Sequence, residues 1–346
     1  MNSLGLASLV DRTLVSHAPF QAAVREIETC FEFALEASEP ICVALIGPSR
    51  TGKSRALDVC ERQHPKTRRE DGMFVPILRV TTPSKPTVKG LAEVLLEGLG
   101  AVDATRGTEN ERTRRVKCLM RNTGTRMLMI DEFQHFFDKG TRLIMHHVAD
   151  WLKILVDETR CALVVAGLPS CQTVIDSNEQ LAGRFHAPIL MPRFSWQDLD
   201  QREEFIGILH AFHQVLSQHF QTPELQREAM AFRFYCATGG LIGYLTKILR
   251  RSVWQAVAAE RKEITLEDLC DAHEKAVWCG RVPQRLPRPF ERSFKLIPTV
   301  DLLREVSVIG TVRVPADESD IPPAKPARSD RRKPGGESAA TCLVMR

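Results

Sequence analysis

The chain has 346 residues, of which 43% are hydrophobic and 26% are charged, and this composition is typical of a folded globular protein. Its formal net charge of +4 excludes a uniformly basic nucleic-acid-binding protein but permits local basic surfaces. The sequence starts without a positively charged leader and has no apolar run of about eighteen residues, so we expect a cytoplasmic protein without a membrane span. No two of the ten cysteines are separated by only two residues, which favours reduced, mostly buried thiols over a zinc site.

The predicted elements change character along the chain. Residues 1–40 carry one helical pattern, with apolar residues recurring from Phe20 to Leu35. Residues 41–192 alternate strand and helix patterns, which predicts an α/β domain with a parallel sheet covered on both faces. The strand candidates are 41–46, 74–81, 126–131, 161–167 and 187–191, and the helical stretches between them are 53–62, 87–99, 109–122, 143–158 and 170–178.

After Pro192 the chain shows only helical patterns, which predict a small all-helical lid domain over 193–280. Residues 281–314 lose this periodicity, and we expect a linker or partner-binding segment there. Residues 315–346 are rich in Pro, Gly, Ser and mixed charge, a composition typical of a disordered tail. The four lid helices are predicted near 198–217, 224–236, 241–260 and 265–277.

An octapeptide between the first strand and the following helix matches the P-loop pattern in full. A strand, a glycine-bearing loop and a helix start direct several backbone N–H groups at one point, where the helix dipole adds positive charge. A polyphosphate such as that of ATP suits this position; Lys53 would contact its β- and γ-phosphates, and the Ser54 hydroxyl would hold Mg²⁺. The alternative is a tight glycine turn. The octapeptide is Gly47-Pro48-Ser49-Arg50-Thr51-Gly52-Lys53-Ser54.

Two acidic residues follow the third strand candidate. Asp131 and Glu132 come after the apolar run 127–130, at the carboxyl end of a strand, where open α/β sheets bind ligands. We expect Asp131 to support Mg²⁺ and Glu132 to act as the general base that polarises the attacking water. An ordinary strand end or helix cap is the alternative.

Arg184 stands just before the last predicted strand. In a P-loop protein of this layout, such an arginine can project to the γ-phosphate held by a neighbouring subunit. An arginine finger of this kind contributes on the order of 10³–10⁵ in rate. A surface arginine that caps a helix C-terminus is the alternative.

The order of these features resembles the AAA+ ATPases and, more narrowly, the TniB/TnsC family of transposition regulators. The resemblance covers roughly residues 14–277. Its marks are His17-Ala18-Pro19-Phe20, the octapeptide 47–54, the segment 127–132, Glu179-Gln180-Leu181 with Arg184-Phe185, and the lid sequence 239–245. The resemblance implies an ATP-dependent regulator that forms rings or helical filaments around duplex DNA. It also implies a DDE-type transposase and a TniQ-like target-selection protein as partners, with Arg184 completing a neighbour's site.

Residues that would face DNA follow from the same resemblance. In similar proteins these residues lie after the second strand, and Lys85 and Lys89 map to those positions, with Thr108 as a further candidate. A few lysines per subunit, repeated around a filament, would give strong, salt-dependent binding to phosphates. A solvated helix start is the alternative. The basic run from Arg112 to Arg121 is predicted to be a solvated helix face.

The sequence departs from the family pattern at two places. Ala166-Gly167-Leu168 supplies no polar residue to sense the γ-phosphate, and Tyr244 stands where a lid arginine is common, with Lys247 one turn further on. These departures leave open a DNA filament scaffold with little ATPase activity. An AAA+ ATPase of another class, such as a helicase loader or a secretion ATPase, is the third alternative.

Overall fold

The computed structural model describes residues 3–70, 72–278, 282–283 and 286–310. The predicted disordered tail, 315–346, lies outside the described residues. None of the described helices is long and apolar enough to cross a lipid bilayer.

Five parallel strands form one sheet, as the sequence predicts. Their order is β4-β5-β6-β1-β7, and every neighbouring pair is parallel. The inner strands are fully buried because they are continuous apolar runs. The strands in chain order are β1 (Cys42–Ile46), β2 (Thr67–Arg69), β3 (Gly72–Phe74), β4 (Ile77–Thr81), β5 (Met127–Asp131), β6 (Ala162–Gly167) and β7 (Ile189–Leu190).

A small antiparallel hairpin, β2–β3, departs from the prediction of one strand over 74–81. Pro76 separates the hairpin from β4 because proline has no N–H to donate to a strand ladder. The carbonyl of Pro76 accepts from the backbone N–H groups of Arg126 and Met127 instead. The exposed residues of β2 carry no apolar alternation, so the sequence pattern did not reveal this strand.

The helices follow the predicted stretches closely, except at the amino terminus. There, two short helices precede α3, which ends at Phe33 and leaves the Leu35 side chain 61% exposed. The helical segment predicted over 1–40 is thus divided into three helices, and Leu35 lies beyond the end of the third. The helices are α1 (Ser3–Ala7), α2 (Leu9–Arg12), α3 (Ala18–Phe33), α4 (Lys53–Gln63), α5 (Val88–Gly98), α6 (Glu109–Asn122), α7 (His135–Asp138), α8 (Arg142–Thr159), α9 (Cys171–Asp176), α10 (Glu179–Ala182), α11 (Leu199–Leu216), α12 (Glu228–Thr238), α13 (Ile242–Ala258), α14 (Leu266–Val277) and α15 (Val300–Ser307).

Both faces of the sheet are covered by helices. Alternate residues of β5 point to opposite faces, so Leu128 and Ile130 join one apolar cluster while Met127 and Met129 join the other. The first cluster includes residues of α5, α6, α8 and α9, and the second includes residues of α3 and α4. Because the strands are parallel, the carboxyl ends of β1 and β5 lie at the same edge of the sheet.

A third apolar cluster is built mainly from the helices that follow residue 192. It also contains Leu9 and Val10 from the amino terminus, and Phe290 and Val306 from the segment expected to be a linker. That segment contains a short helix, α15. The Thr299 side chain caps it by accepting from the N–H of Leu302, and Val306 is buried.

Candidate nucleotide site

The phosphate-binding loop lies between β1 and α4, where the sequence predicts it. Gly47 packs so closely on the last strand that an added Cβ would lie 2.1 Å from the carbonyl oxygen of Met191. Gly52 has φ of +101°, a conformation that favours glycine, and it directly precedes the first residue of α4, Lys53. The Thr51 hydroxyl donates to the carbonyl of Pro48 at 3.0 Å and fixes the loop between them.

Lys53 is buried, with 8% of its surface exposed, and its ammonium lies against the loop. It donates to the carbonyls of Gly47 at 2.8 Å and Pro48 at 2.6 Å. Burial lowers the pKa of Lys53, while the carboxylates of Glu132 and Asp131 act in the opposite direction. The Lys53 ammonium thus lies on the phosphate-binding loop, where the charges of both carboxylates act on it.

Asp131 is the last residue of β5, and each of its oxygens has a partner. One carboxylate oxygen accepts from the backbone N–H of Glu132 at 2.9 Å, and the other pairs with Arg79 at 3.3 Å. The carbonyl of Asp131 accepts from both the N–H and the hydroxyl of Thr82, each at 3.0 Å. The segment that begins at Thr82 is therefore bonded directly to the strand that carries the acidic pair.

Glu132 turns the chain sharply after β5, with φ of +56°. Non-glycine residues adopt this left-handed conformation rarely and at a cost of about 1–2 kcal/mol, and such residues cluster at functional sites. Glu132 borders the same cavity as Lys53 and Ser54. The structure therefore brings the predicted lysine, hydroxyl and carboxylates to one place.

A cavity of about 360 Å³ extends from this loop, and two distant parts of the chain form its other walls. One wall comes from residues 10–20 and the other from the first half of α13. His17 is buried in the first wall between the rings of Phe20 and Phe194, at centroid distances of 5.7 and 5.3 Å. Burial lowers the pKa of His17, opposed by the charge of Glu204. The cavity walls outside the loop include Val10, Leu14, His17, Phe20, Ile242, Gly243 and Thr246.

The lid helix α13 contacts the phosphate-binding loop itself. The N–H of Gly243 donates to the carbonyl of Arg50 at 2.9 Å, and the Arg50 guanidinium lies 4.6 Å from the ring centroid of Tyr244. Arg50 has φ of +69°, which turns its carbonyl toward the lid. Tyr244 stands where a lid arginine is common, and in this structure its ring contacts an arginine of the loop.

Arg184 lies at the opposite end of β1 from the loop, where its carbonyl accepts from the N–H of Cys42. Its guanidinium pairs with Asp157 at 2.9 Å and with Glu39 at 3.3 Å, and 17% of the side chain is exposed. Both partners belong to its own chain. The arginine-finger role stays a prediction, and it requires Arg184 to exchange these carboxylates for a neighbour's phosphate.

The three predicted DNA contacts lie near two adjacent helix starts. Lys85 and Lys89 are exposed, on the loop before α5 and in its first turn, while Thr108 is the N-cap of α6. The Thr108 hydroxyl already exchanges hydrogen bonds with Glu111 in a capping box. The first turns of the two helices meet through Arg112, which donates to the carbonyl of Lys89 at 3.4 Å.

Arg112 corrects one expectation. The basic run of α6 was predicted to be a solvated face, but Arg112 is only 4% exposed and pairs with Glu93 at 2.6 Å. Helical spacing turns it toward α5, away from the exposed part of the run.

Comparison with known proteins agrees with the fold and the loop. The family model described as "Bacterial TniB protein" matches residues 6–196, more than half of the chain. The chain belongs to the TniB family. The matched range includes the wall at 10–20, the phosphate-binding loop, the acidic pair and Arg184. No curated protein matches this TniB chain.

Solved structures share the fold of this chain. The Cdc6p structure from Pyrobaculum aerophilum aligns with a TM-score of 0.56 at 14% identity, over 78% of this chain and 71% of that one. The ORC2 protein of Aeropyrum pernix, in ADPNP-ADP complexes, aligns with a TM-score of 0.58 at 10% identity, over 80% of this chain and 72% of that one. At these identities the likeness establishes the fold alone: TniB has an AAA+ P-loop fold with a five-stranded parallel sheet and a helical part.

Proposed function

We propose that this TniB protein is an ATP-dependent regulator of transposition that oligomerises on duplex DNA and recruits a DDE-type transposase to the target. The observation that carries this proposal is the shared cavity of Lys53, Ser54 and Glu132, in a chain of the TniB family. The ORC2 protein with the same fold was solved with ADPNP and ADP, which supports an adenine nucleotide as the occupant.

ATP suits each wall of the cavity. The triphosphate would follow the backbone N–H groups of the loop and meet the ammonium of Lys53. In the wall formed by residues 10–20, His17 and Phe20 are buried and their rings lie 5.7 Å apart, which suits a flat base. A mainly apolar pocket with a few convergent polar groups is the usual form of a nucleotide site.

Two oxygen donors near the phosphate-binding loop suit magnesium. Ser54 lines the cavity and the buried Asp131 carboxylate ends β5 directly before Glu132, and oxygens of these two kinds are the ligands that Mg²⁺ prefers. Ser54 and Asp131 would hold the ion, which when bound supplies charge neutralisation to the phosphates. Arg79 balances the charge of Asp131 from the far side.

Hydrolysis follows from the position of Glu132. A water molecule attacks the γ-phosphorus, Glu132 accepts a proton from it, and the bond to the β-phosphate oxygen breaks to give ADP and phosphate. Lys53 and, from a neighbouring subunit, Arg184 would neutralise the charge that spreads over the transferred group. The site is thus completed by a homo-oligomer.

DNA binding is assigned to the surface at the starts of α5 and α6. Lys85 and Lys89 are exposed there, and two adjacent helix N-termini add partial positive charge. Such contacts hold phosphates and do not read bases. A TniQ-like protein and the transposase are the expected protein partners, in keeping with the family.

The test is a duplex-binding titration with the full chain, with and without ATP. We expect ATP-dependent binding that Lys53→Ala abolishes and that Glu132→Gln preserves, with longer-lived complexes because turnover is slowed. The double variant Lys85→Ala/Lys89→Ala should weaken binding and reduce the slope of log K against log salt by about 2, one for each phosphate contact. Lys262→Ala removes an exposed lysine of the helical part and serves as the control. Binding that ignores ATP would contradict the proposal.

A filament scaffold with little ATPase activity is the second candidate, because residues 166–168 supply no polar side chain to sense the γ-phosphate. Phosphate release with ATP and DNA separates the two. Turnover equal to that of Lys53→Ala would favour the scaffold.

A further inference from the structure

Gln134 is a buried polar residue beside the acidic pair that the proposed chemistry leaves without a role. It is 3% exposed and lies just before α7, three positions after Asp131. Its side-chain amide joins two parts of the site. The Nε2 atom donates to the Glu132 carboxylate, and the Oε1 atom accepts from the N–H of Leu168 at 3.2 Å.

We propose that Gln134 is the positioning residue for Glu132 and ties the carboxylate to the loop after β6. The inference rests on the proposed function, because it assigns Gln134 a role in the hydrolysis of ATP. It also accounts for a departure noted in the sequence: residues 166–168 have no polar side chain of their own. Instead, the side chain of Gln134, which follows β5, contacts that loop.

The hydrogen bonds fix which way the amide faces. A backbone N–H can only donate, so the group that meets Leu168 must be the oxygen of Gln134. The NH₂ group therefore points at Glu132, where an ionised carboxylate accepts but cannot donate. The two bonds hold one orientation of the amide, which fixes the position of the Glu132 carboxylate relative to the loop after β6.

Packing leaves the amide little freedom to move. A Cβ added at Gly167 would lie 2.2 Å from Gln134 Oε1 and 2.4 Å from the sulfur of Cys171. The close approach of Gln134 to the end of β6 therefore requires glycine at position 167. Glu132 also has a left-handed backbone, a strained conformation that persists only where the surrounding structure holds it.

The loop held by Gln134 leads toward the predicted intersubunit residue. From Leu168 the chain runs through α9 and α10 to Arg184. A shift of this segment on contact with a neighbouring subunit would pull on the Leu168 N–H and, through the amide, on Glu132. Gln134 thus offers a physical link between a completed interface and the general base.

Two substitutions separate the halves of this link. Gln134→Glu keeps the size of the side chain and the acceptor for Leu168, but it replaces the donor to Glu132 by a second carboxylate. Gln134→Leu removes both hydrogen bonds. Gln172→Glu and Gln172→Leu are matched controls, because Gln172 is exposed on α9 and its side-chain amide donates to the Asp176 carboxylate at 2.8 Å, away from Glu132.

The measurement is steady-state ATP hydrolysis by the full chain with duplex DNA, as a function of ATP concentration, with the melting temperature of each variant measured in parallel. We expect kcat to fall by about 10²-fold in both Gln134 variants, the usual effect of a small misplacement, with KM changed by less than about threefold. The Gln172 variants should keep both constants.

The outcomes are distinct for the two hypotheses. Absence of turnover in the unmodified protein would overturn the proposed hydrolysis and the role of Gln134 with it. Normal turnover of the unmodified protein with unchanged kcat in folded Gln134→Glu would overturn the role of Gln134 alone. A loss of kcat that only follows a fall in melting temperature would also overturn it, since a positioning role predicts the loss of kcat, with KM nearly kept, in a variant that stays folded.

Discussion

Gly243 controls how closely the lid helix approaches the phosphate-binding loop. A Cβ at this position would lie 2.7 Å from the Cβ and 3.1 Å from the carbonyl oxygen of Arg50, and neither is the far end of a flexible side chain. Restoring ordinary contact at 3.4 Å requires α13 and the loop to separate by about 0.7 Å. That movement would lengthen the 2.9 Å hydrogen bond from Gly243 to Arg50 and widen the cavity.

Overpacking of this kind costs about 1–3 kcal/mol, so we expect Gly243→Ala to raise the Kd for ATP by about tenfold, which corresponds to 1.4 kcal/mol. The assay is titration of a fluorescent ATP analogue into the full chain, with thermal unfolding measured in parallel. Gly207→Ala is the matched control: Gly207 is exposed in α11, and an added Cβ would meet nothing within 4 Å. The control should gain about 0.5–1 kcal/mol of helix stability and keep its affinity for ATP. Equal affinities for Gly243→Ala and the unmodified protein would refute the reasoning.

Three further predictions concern single groups. Thr82→Val removes one of the two donors to the Asp131 carbonyl and should lower the free energy of unfolding in urea by about 1 kcal/mol, with Thr82→Ser close to the unmodified protein. Burial lowers the pKa of His273 to about 4, below the unfolded value of 6.5, so stability should fall by up to about 3 kcal/mol as the pH is lowered through that window. His273→Gln should flatten this dependence, and an unchanged slope would count against it. Among the described cysteines Cys118 is exposed and should react first with a thiol reagent at neutral pH; the same fast phase in Cys118→Ser would contradict this.

The fold could be predicted from the sequence wherever local patterns carry the information. The run 42–46 is apolar without interruption, and the octapeptide that follows it needs a strand on one side and a helix on the other. Each of these features is contained in a few neighbouring residues. Hence the sequence revealed the parallel sheet, the loop and the acidic pair at the end of β5 without any knowledge of distant contacts.

The remainder depends on contacts between distant segments. His17 and Phe20 belong to the cavity only because the amino-terminal segment folds across α13 and the loop, which no local pattern encodes. Gln134 lies two positions after Glu132, but its role depends on Leu168 and on the absence of a side chain at Gly167. The sequence did show that residues 166–168 have no polar side chain, but it did not indicate that Gln134 contacts this loop.

Ion pairing of Arg184 with its own chain could not be read from the sequence either. Asp157 and Glu39 come from separate elements, and only the packing of α8 beside the start of β1 brings them to Arg184. To act as an arginine finger, Arg184 would therefore have to leave the carboxylates of Asp157 and Glu39 and bind the γ-phosphate of a neighbouring subunit's nucleotide. Arg160 lies nearby and donates to the carbonyls of Ser38 and Ala37. Because it has no predicted role at the interface, Arg160→Ala is a control for Arg184→Ala.

Mixing two inactive variants tests most directly whether neighbouring subunits share the nucleotide site. Glu132→Gln lacks the general base but keeps Arg184 and DNA binding, and Arg184→Ala has the opposite defect, so each alone should hydrolyse little ATP on DNA. In a random equal mixture, about a quarter of the sites would combine an intact general base with an intact neighbouring arginine, and turnover should recover to about a quarter of the unmodified level. A mixture as inactive as its components, or full activity of Arg184→Ala alone at the level of Arg160→Ala, would contradict a site completed by a second subunit.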